Sequence, residues 1–176
     1  ARYLGLPSRS SNTTSSNCVD AQSAYESEMS LWGSVMGHVN LVNHAAGWLE
    51  GGLTASFEKL ILDAEMLQMM TQTLEPIEVN EDELALATIA EVQPGGHHFA
   101  TEHTLARYQT AFYPTLLSTR ENFESWEEQG AQDTASRANT IWKQLLEEYE
   151  QPEMNESILT ALNEYVDVRK KEIAQN

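Results

Sequence analysis

The stretch NHAAGWLEGGLTASFEK, residues 43–59, joins a short apolar run to a long helical pattern through a turn that contains three glycines. The run that leads into it, VNLVNHAAG, is β-branched at Val39 and Val42 and predicts a strand. The segment that follows, TASFEKLILDAEMLQMMTQTL, repeats apolar residues at helical spacing and predicts a long helix. A flexible, polar turn between a strand and a helix is the feature from which the fold can be worked out.

A second strand–loop–helix unit precedes this one. RYLGL, residues 2–6, predicts the end of a short strand, because Pro7 cannot continue a central ladder. The next residues, SRSSNTTSSN, predict a polar loop. A helix is predicted to begin near Asp20, with Asn17 as its N-cap and Gly37 at its end. Its inward stripe consists of residues at helical spacing, namely Ala21, Ala24, Ser27, Leu31 and Val35.

Two short strands, each followed by a long helix, must pair in parallel through helical crossovers and need further strands beside them. We therefore predict an α/β fold, the C-terminal portion of a (β/α)8 TIM barrel followed by a helical tail. Residues 1–75 are then the last strand–helix units of the barrel, and residues 76–176 are the C-terminal helical region. The chain starts without an initiator Met and without a signal-peptide pattern, so we expect the N-terminal part of the barrel to be missing. Barrels of this kind build their sites from loops at the carboxyl ends of the strands, where both polar loops fall.

The second half of the chain predicts helices throughout. Asn80 is placed to cap one helix, Gly130 closes NFESWEEQG, and Asp133 caps the next helix. Pro152 breaks that helix, and Asn155 starts the last one, which ends in a basic RKK.

Composition narrows the classes of partner. The hydrophobic fraction is 41%, and no apolar run approaches the roughly 18 residues needed to span a bilayer, so no membrane partner is expected. The formal net charge of -17 arises from 27 acidic and 10 basic side chains, which leaves no basic face for nucleic acid or anionic lipid. An acidic field of this kind favours a cationic ligand or a basic protein surface, although it also serves solubility alone. The single cysteine, Cys18, permits no internal disulfide and indicates a reducing, cytoplasmic setting.

Several motifs resemble the trimethylamine methyltransferase family, corrinoid-dependent enzymes that demethylate methylated amines. They are LGLPSR, DAQSAYES, HAAGWLEGGLTASFEKLILDAEMLQM, AEVQPGGHHFATEHTLARY, and NFESWEEQG with RANTIWKQLL, and they cover most of residues 1–150. The resemblance implies a TIM barrel, and these motifs belong to the C-terminal third of the family. It also implies transfer of a methyl group from a quaternary or tertiary methylated amine, glycine betaine-like or trimethylamine, to the cobalt of a corrinoid protein. The cobalamin-type corrinoid is then presented by that partner, no cofactor is bound directly, and the fragment alone is expected to be inactive.

The founding members of the family carry pyrrolysine in the barrel, and the resemblance places that position near Ser16 to Cys18. This sequence has only ordinary residues there, so it is similar to the members without pyrrolysine that act on quaternary amines. A quaternary ammonium already carries a positive, activated nitrogen. The protein then needs only to hold the substrate and to stabilise the departing amine.

The candidate substrate-binding residues lie on the two polar loops. Trp48 and Glu50 are the first candidates, because aromatic faces and nearby carboxylates recognise a quaternary ammonium. The alternative is that Trp48 packs against the next helix and Glu50 is the solvated acid at its N-terminus. His44 is a candidate for orienting a substrate carboxylate, with a purely structural histidine as the alternative. Asp20 and Gln22 open the first helix at the same face, and capping explains Asp20 equally well; no catalytic residue is assigned.

GGHHFATEH contains His97, His98 and Phe99, which we interpret as a Gly-hinged loop over the barrel mouth or against the corrinoid partner. Adjacent histidine side chains diverge, and His103 is at the wrong spacing to complete a zinc site, so no metal is predicted. Two functions from other classes stay open, a non-catalytic binder of small quaternary amines and an inactive structural fragment. The sequence is also compatible with a homo-oligomer.

Overall fold

The computed structural model describes residues 1–175 and contains two compact units, one from Ala1 to Lys143 and one from Gln144 onward. The elements are given in chain order. They are a 3-10 turn at Arg2–Leu4, β1 at Arg9–Ser11, α1 at Ala21–Met36, β2 at Leu41–Asn43, β3 at Trp48–Leu49, a 3-10 turn at Glu50–Gly52, β4 at Thr54–Ala55, α2 at Phe57–Leu74, α3 at Glu81–Leu84, α4 at Leu86–Val92, α5 at Glu102–Arg107, α6 at Phe123–Glu128, α7 at Thr134–Glu147 and α8 at Glu156–Ala174.

The first strand lies later than the sequence predicts. Arg2–Leu4 forms a 3-10 turn that ends at Gly5 in the left-handed conformation, so the strand prediction for residues 2–6 is wrong. Strand β1 instead occupies Arg9–Ser11, inside the segment predicted as a polar loop. The arginine–serine sequence has little strand preference of its own, and the ladder with β2 overrides it.

β1 and β2 pair in parallel, with Arg9 opposite Leu41 and Ser11 opposite Asn43. Helix α1 connects them, so the strand–helix–strand unit predicted from the sequence is present. Within residues 1–175 this sheet has two strands, each of three residues. The structure is mixed and mostly helical, which agrees with a part of an α/β domain.

The Gly-rich turn is a small hairpin. Strands β3 and β4 pair antiparallel, with Trp48 opposite Ala55, and a 3-10 turn forms the tip. Gly51 and Gly52 have φ of 65° and 93°, a region that side chains with a Cβ rarely adopt. The glycines therefore reverse the chain between two short strands.

Helix α1 begins next to Asp20, as predicted, but its N-cap is Asp20 and not Asn17. The Asp20 side chain accepts the Ser23 N–H, and the Ser23 hydroxyl in turn contacts the Asp20 N–H, which is a reciprocal capping box. Asp20 is the N-cap because the Ser23 hydroxyl, three residues later, accepts the backbone N–H of Asp20 in return. Gly37 ends the helix as predicted, and of the predicted stripe Ser27 and Leu31 are buried.

The later helix starts agree with the sequence. Asn80 and Asp133 accept backbone N–H groups of Glu83 and Ser136 at 2.8 Å each, and Asn155 accepts that of Ser157 at 3.0 Å. Among the residues that the structure describes, none of the helices combines the length and the apolar character that crossing a lipid bilayer requires.

Two small apolar clusters hold the first unit together. In the first, Leu31 of α1 packs with Met66 and Met70 of α2, and Val42 of β2 lies against them. The second joins α2 to the later chain and contains Ile61, Leu117 and Ala138, with Ile141 and Trp142 beside them. The helices therefore cover one face of the β1–β2 ladder.

Candidate functional site

The polar loops after β1 and β2 lie against each other at the carboxyl edge of the parallel ladder. The Glu50 N–H donates to the Ser16 carbonyl at 3.0 Å, and the Gly51 N–H donates to the Thr14 carbonyl at 2.7 Å. Because parallel strands run in the same direction, their carboxyl ends meet at one edge. The structure thus brings the two loops together on one side, as the sequence predicts.

His44 and Trp48 form an aromatic pair at this edge. Their ring centroids are 5.5 Å apart and the rings are perpendicular, an edge-to-face arrangement. The Ser11 hydroxyl lies 3.2 Å from His44 Nδ1 and ties the imidazole to the end of β1. Trp48 is half-buried and His44 is exposed. Two of the predicted residues are therefore in direct contact.

An apolar pocket of about 230 Å³ lies beside Trp48. Small residues and two large apolar side chains line it: Ala46, Gly47, Ala55, Ser56, Phe57 and Leu60, together with Trp48. The alternative role of Trp48 was packing against the following helix. It is confirmed in part, because Phe57 and Leu60, which line the same pocket, belong to α2. The ring nevertheless keeps an accessible side.

Two of the predicted residues have left-handed backbone, as do His38, Ala85, Gln93 and Ala131 elsewhere in residues 1–175. His44 and Glu50 have φ of 51° and 53°, although neither is glycine. Non-glycine residues in this region cluster at functional sites, where the surrounding structure enforces them. The Glu50 carboxylate is exposed and accepts a hydrogen bond from the Thr54 hydroxyl at 3.0 Å. It is therefore part of the hairpin and not the first-turn acid of α2.

One face of the β1–β2 ladder is open. Ser10 faces the helices, because its hydroxyl accepts from Ser34 of α1 at 2.8 Å. Side chains alternate along a strand, so Arg9, Ser11 and Asn43 project from the opposite face. Arg9 lies on the same face as the serine that holds His44. The sequence analysis missed this cation because it placed residue 9 in a loop.

Asn12 follows β1 and is buried. Its Nδ2 donates to the Ala45 carbonyl at 2.8 Å, whereas its Oδ1 has no hydrogen-bond partner within residues 1–175. A buried acceptor without a donor costs free energy, because it gives up its hydrogen bonds to water.

Asp20 and Gln22 serve the loop after β1. Asp20 caps α1 and accepts the Ser16 hydroxyl at 3.0 Å; the Ser23 N–H is the main group that lowers the pKa of its carboxyl. Gln22 donates to Glu26 Oε1 at 2.9 Å. Asp20 therefore caps α1, which was the alternative to its predicted contact with substrate.

Glu26 was not singled out by the sequence, yet it anchors the same loop. Its carboxylate accepts the Thr14 hydroxyl, the Ser15 N–H at 2.7 Å and the Gln22 amide. The hydrogen bond from Thr14 is the largest cause that lowers the pKa of Glu26, to about 2. The hydrogen bond that the exposed Cys18 thiol donates to the Asp20 carboxylate is the largest cause that raises the pKa of this thiol, which does not favour a nucleophilic thiolate.

The histidine-rich loop is separate from this edge. His97, His98 and Phe99 are exposed, and the His97 and Phe99 ring centroids are 5.5 Å apart. The His98 carbonyl accepts the Thr101 N–H at 3.1 Å. Over residues 1–175, no hydrogen bond or ring contact joins this loop to the hairpin. In the same part of the chain, no group of three or more His, Cys, Asp or Glu side chains is placed to hold a metal ion.

A polar hairpin and an aromatic pair therefore lie at the carboxyl edge of a parallel ladder, the edge at which α/β proteins commonly bind their ligands. The chain belongs to the trimethylamine methyltransferase family, whose model, described as Trimethylamine methyltransferase (MTTB), matches residues 1–174.

Proteins similar to this chain carry two kinds of name. A glycine betaine methyltransferase from Desulfitobacterium hafniense (strain Y51) is 35% identical over 176 residues, which are 99% of this chain and 36% of that protein. Trimethylamine methyltransferase MttB2 from Methanosarcina mazei is 29% identical over 168 residues, 95% of this chain and 34% of that protein. Trimethylamine methyltransferase MttB from D. hafniense (strain DSM 10664 / DCB-2) is 29% identical over 173 residues, 98% of this chain and 34% of that protein. The chain therefore spans about a third of the length of the curated relatives it matches.

Proposed function

We propose that this chain supplies the carboxyl-terminal strand–helix units of a TIM-barrel methyltransferase, whose site holds a quaternary methylated amine of the glycine betaine type. The observation that carries the proposal is the His44–Trp48 ring pair at the carboxyl edge of the β1–β2 ladder, the edge where barrels place their sites. The similarity to a protein named glycine betaine methyltransferase supports the same class of substrate.

Recognition follows from the chemistry of a quaternary ammonium. Such a group has no N–H to donate, so an aromatic face and surrounding negative charge must hold it. Trp48 offers the face, and the net charge of -17 supplies an attractive field. Arg9 and His44 are the groups for the substrate carboxylate, because Arg9 projects from the open sheet face and Ser11 of that face holds His44.

Methyl transfer from such a substrate breaks one N–C bond. The bonding electrons remain on nitrogen, which leaves as a neutral tertiary amine, and the acceptor supplies the electron pair of the new bond to carbon. The acceptor in this proposal is the cobalt of a corrinoid carried by a separate protein, and that cobalt provides the nucleophile. This chain holds and orients the ammonium at an edge where exposed His44 leaves room for approach. The ordinary residues at positions 16–18 fit a substrate that is already activated.

A pair of ligands tests recognition. Glycine betaine and 3,3-dimethylbutanoate have the same shape and carboxylate, but only glycine betaine carries the positive charge. NMR titration of a protein that carries this chain together with the remaining part of the barrel should show glycine betaine binding about 2- to 30-fold more tightly, the span of a cation–π contact of about 0.5–2 kcal/mol. Trp48→Leu should remove this preference, whereas Trp126→Leu, outside the hairpin, should keep it. Equal affinity for the two ligands would contradict the proposal.

Transfer needs a second experiment. A protein that carries this chain together with the remaining part of the barrel is mixed with glycine betaine and a reduced corrinoid protein, and the methyl–cobalt absorption is followed. Appearance of that spectrum is expected. Binding of glycine betaine with no spectral change would favour the alternative function, a non-catalytic binder of quaternary amines.

A further inference from the structure

A lysine and an aspartate are buried together beneath the hairpin. Lys59 and Asp63 lie one turn apart on α2, and their side chains are 0% and 1% exposed. Lys59 Nζ contacts Asp63 Oδ1 and donates to the Ser27 hydroxyl of α1 at 2.7 Å. The other carboxylate oxygen of Asp63 accepts the backbone N–H of Gly47 at 2.9 Å. One network thus joins α1, α2 and the residue that precedes Trp48.

Stability alone does not explain this pair. A buried ion pair seldom stabilises a fold more than apolar side chains of the same size, because both charges lose their hydration. Neighbouring positions of α2 bury Ile61, Met66 and Met70, so an apolar pair would suit this surrounding. What apolar side chains cannot provide is an acceptor for the Gly47 N–H.

Both polar backbone groups of Gly47 are hydrogen-bonded, and the space around its Cα is confined. Its carbonyl accepts the Ser56 N–H at 2.9 Å, and its N–H is bound by Asp63. Its φ is 87°, and a Cβ at this position would lie 3.3 Å from the Cβ of Leu60. Both polar backbone groups are therefore fixed where β3 begins, and Trp48 is the next residue.

We propose that the Lys59–Asp63 pair is a positioning element, which fixes the backbone at Gly47 and so holds the Trp48 ring against His44. Lys59 balances the buried charge of Asp63, and Asp63 carries the hydrogen bond to the turn. The importance of this placement for ligand binding rests on the proposed function, but the placement itself does not.

Two double variants separate the acceptor from the charges. Lys59→Met with Asp63→Asn removes both charges and keeps an oxygen acceptor for Gly47. Lys59→Met with Asp63→Leu removes the charges and the acceptor. The chain is labelled with 5-fluorotryptophan, which gives one fluorine NMR signal for each of its four tryptophans, and Trp48→Phe identifies the signal of Trp48.

The Leu variant should stay folded, with the Trp48 signal shifted or broadened and the other three signals in place. Glycine betaine should then bind about tenfold more weakly, the loss expected when the ring no longer faces the cation. The Asn variant should keep the Trp48 signal and lose less than about threefold in affinity. A folded Leu variant with an unchanged Trp48 signal would overturn the proposal.

The unmutated chain provides a test that needs no variant. The Gly47 amide should exchange with solvent deuterium as slowly as amides in the interior of α2, and exchange at the rate of an exposed loop would also overturn the proposal. If a protein that carries the unmutated chain together with the remaining part of the barrel binds no glycine betaine, the proposed function fails, while the fluorine signal and the Gly47 exchange rate still decide the positioning role.

Discussion

At the scale of single residues, Glu26 holds a serine-rich loop that has few apolar contacts of its own. Its carboxylate accepts hydrogen bonds from Thr14, Ser15 and Gln22. The backbone carbonyls of Thr14 and Ser16 in turn accept N–H groups of the hairpin. We therefore expect a change at Glu26 to reach the hairpin through the loop to which the Glu26 carboxylate is hydrogen-bonded.

The charge of Glu26 makes the fold sensitive to acid. Its pKa lies at about 2 instead of the ordinary 4.5, chiefly because of the hydrogen bond from Thr14. A lowered folded-state pKa contributes stability that is present above pH 4.5 and is lost as the pH falls toward 2. Between about pH 5 and pH 2, we expect the Tm of the unmutated chain to fall more steeply than that of Glu26→Gln.

Circular dichroism melts at a series of pH values measure this difference. Glu28→Gln, an exposed acid on the same helix, is the matched control and should follow the unmutated chain. Parallel Tm curves for Glu26→Gln and the unmutated chain would show that Glu26 does not contribute in this way.

At the scale of elements, one aromatic stack and one carboxylate join α7 to α2, in addition to the apolar cluster of Ile61 and Ala138. The rings of Phe57 and Trp142 have centroids 4.9 Å apart with an interplanar angle of 28°. Glu58 Oε1 accepts the Trp142 indole N–H at 2.8 Å and the Asn139 amide at 2.7 Å. These two hydrogen bonds lower the pKa of Glu58 to about 2, and the one from Asn139 has the larger effect.

Trp142→Phe should keep the stack and lose the indole donor. We expect a loss of about 1 kcal/mol, the net value of one hydrogen bond, and a Tm lower by about 2–4 °C. Trp32→Phe on the exposed side of α1 should change the Tm by less than about 1 °C. A Tm for Trp142→Phe as high as that of the control would mean that the indole donor adds nothing to the docking.

Sequence reasoning succeeds where an element is determined locally and fails where a distant partner decides. The caps at Asn80, Asp133 and Asn155 are read from neighbouring residues, and all three are confirmed. Strand β1 was misplaced because its ladder depends on residues 41–43. Lys59 was passed over in an apolar helix because its partners, Ser27 and the Gly47 turn, come from other elements.

The candidate site follows the same rule. The parallel strand order places the loops of residues 12–18 and 43–52 at one edge, and this could be anticipated. The contact of His44 with Trp48 depends on the hairpin and on the tie to Ser11, which no local pattern encodes.

At the scale of the whole molecule, charge is the dominant feature. With 27 acidic and 10 basic side chains, the folded chain repels itself at low ionic strength. Salt screens this repulsion over a Debye length of about 10 Å at 0.1 M.

Raising sodium chloride from about 10 mM to about 300 mM should therefore stabilise the protein by about 1–2 kcal/mol, or about 2–8 °C in Tm. Calorimetry at constant pH measures the shift. A variant with Glu147, Glu148 and Glu150 changed to Gln carries three fewer negative charges and should gain less from salt. A Tm that does not rise with salt, or a variant that gains as much as the unmutated chain, would contradict this explanation.

The parallel ladder of β1 and β2 also sets an order of events during folding. Its three pairs join residues 32 positions apart, for example Arg9 with Leu41. So short a ladder cannot offset the entropy of closing a loop of that length. We therefore expect the ladder to form only after α1 has packed on α2 through Leu31 and Met66. The edge that carries His44 and Trp48 is accordingly among the last parts of the first unit to form, and helix docking determines how fast it appears.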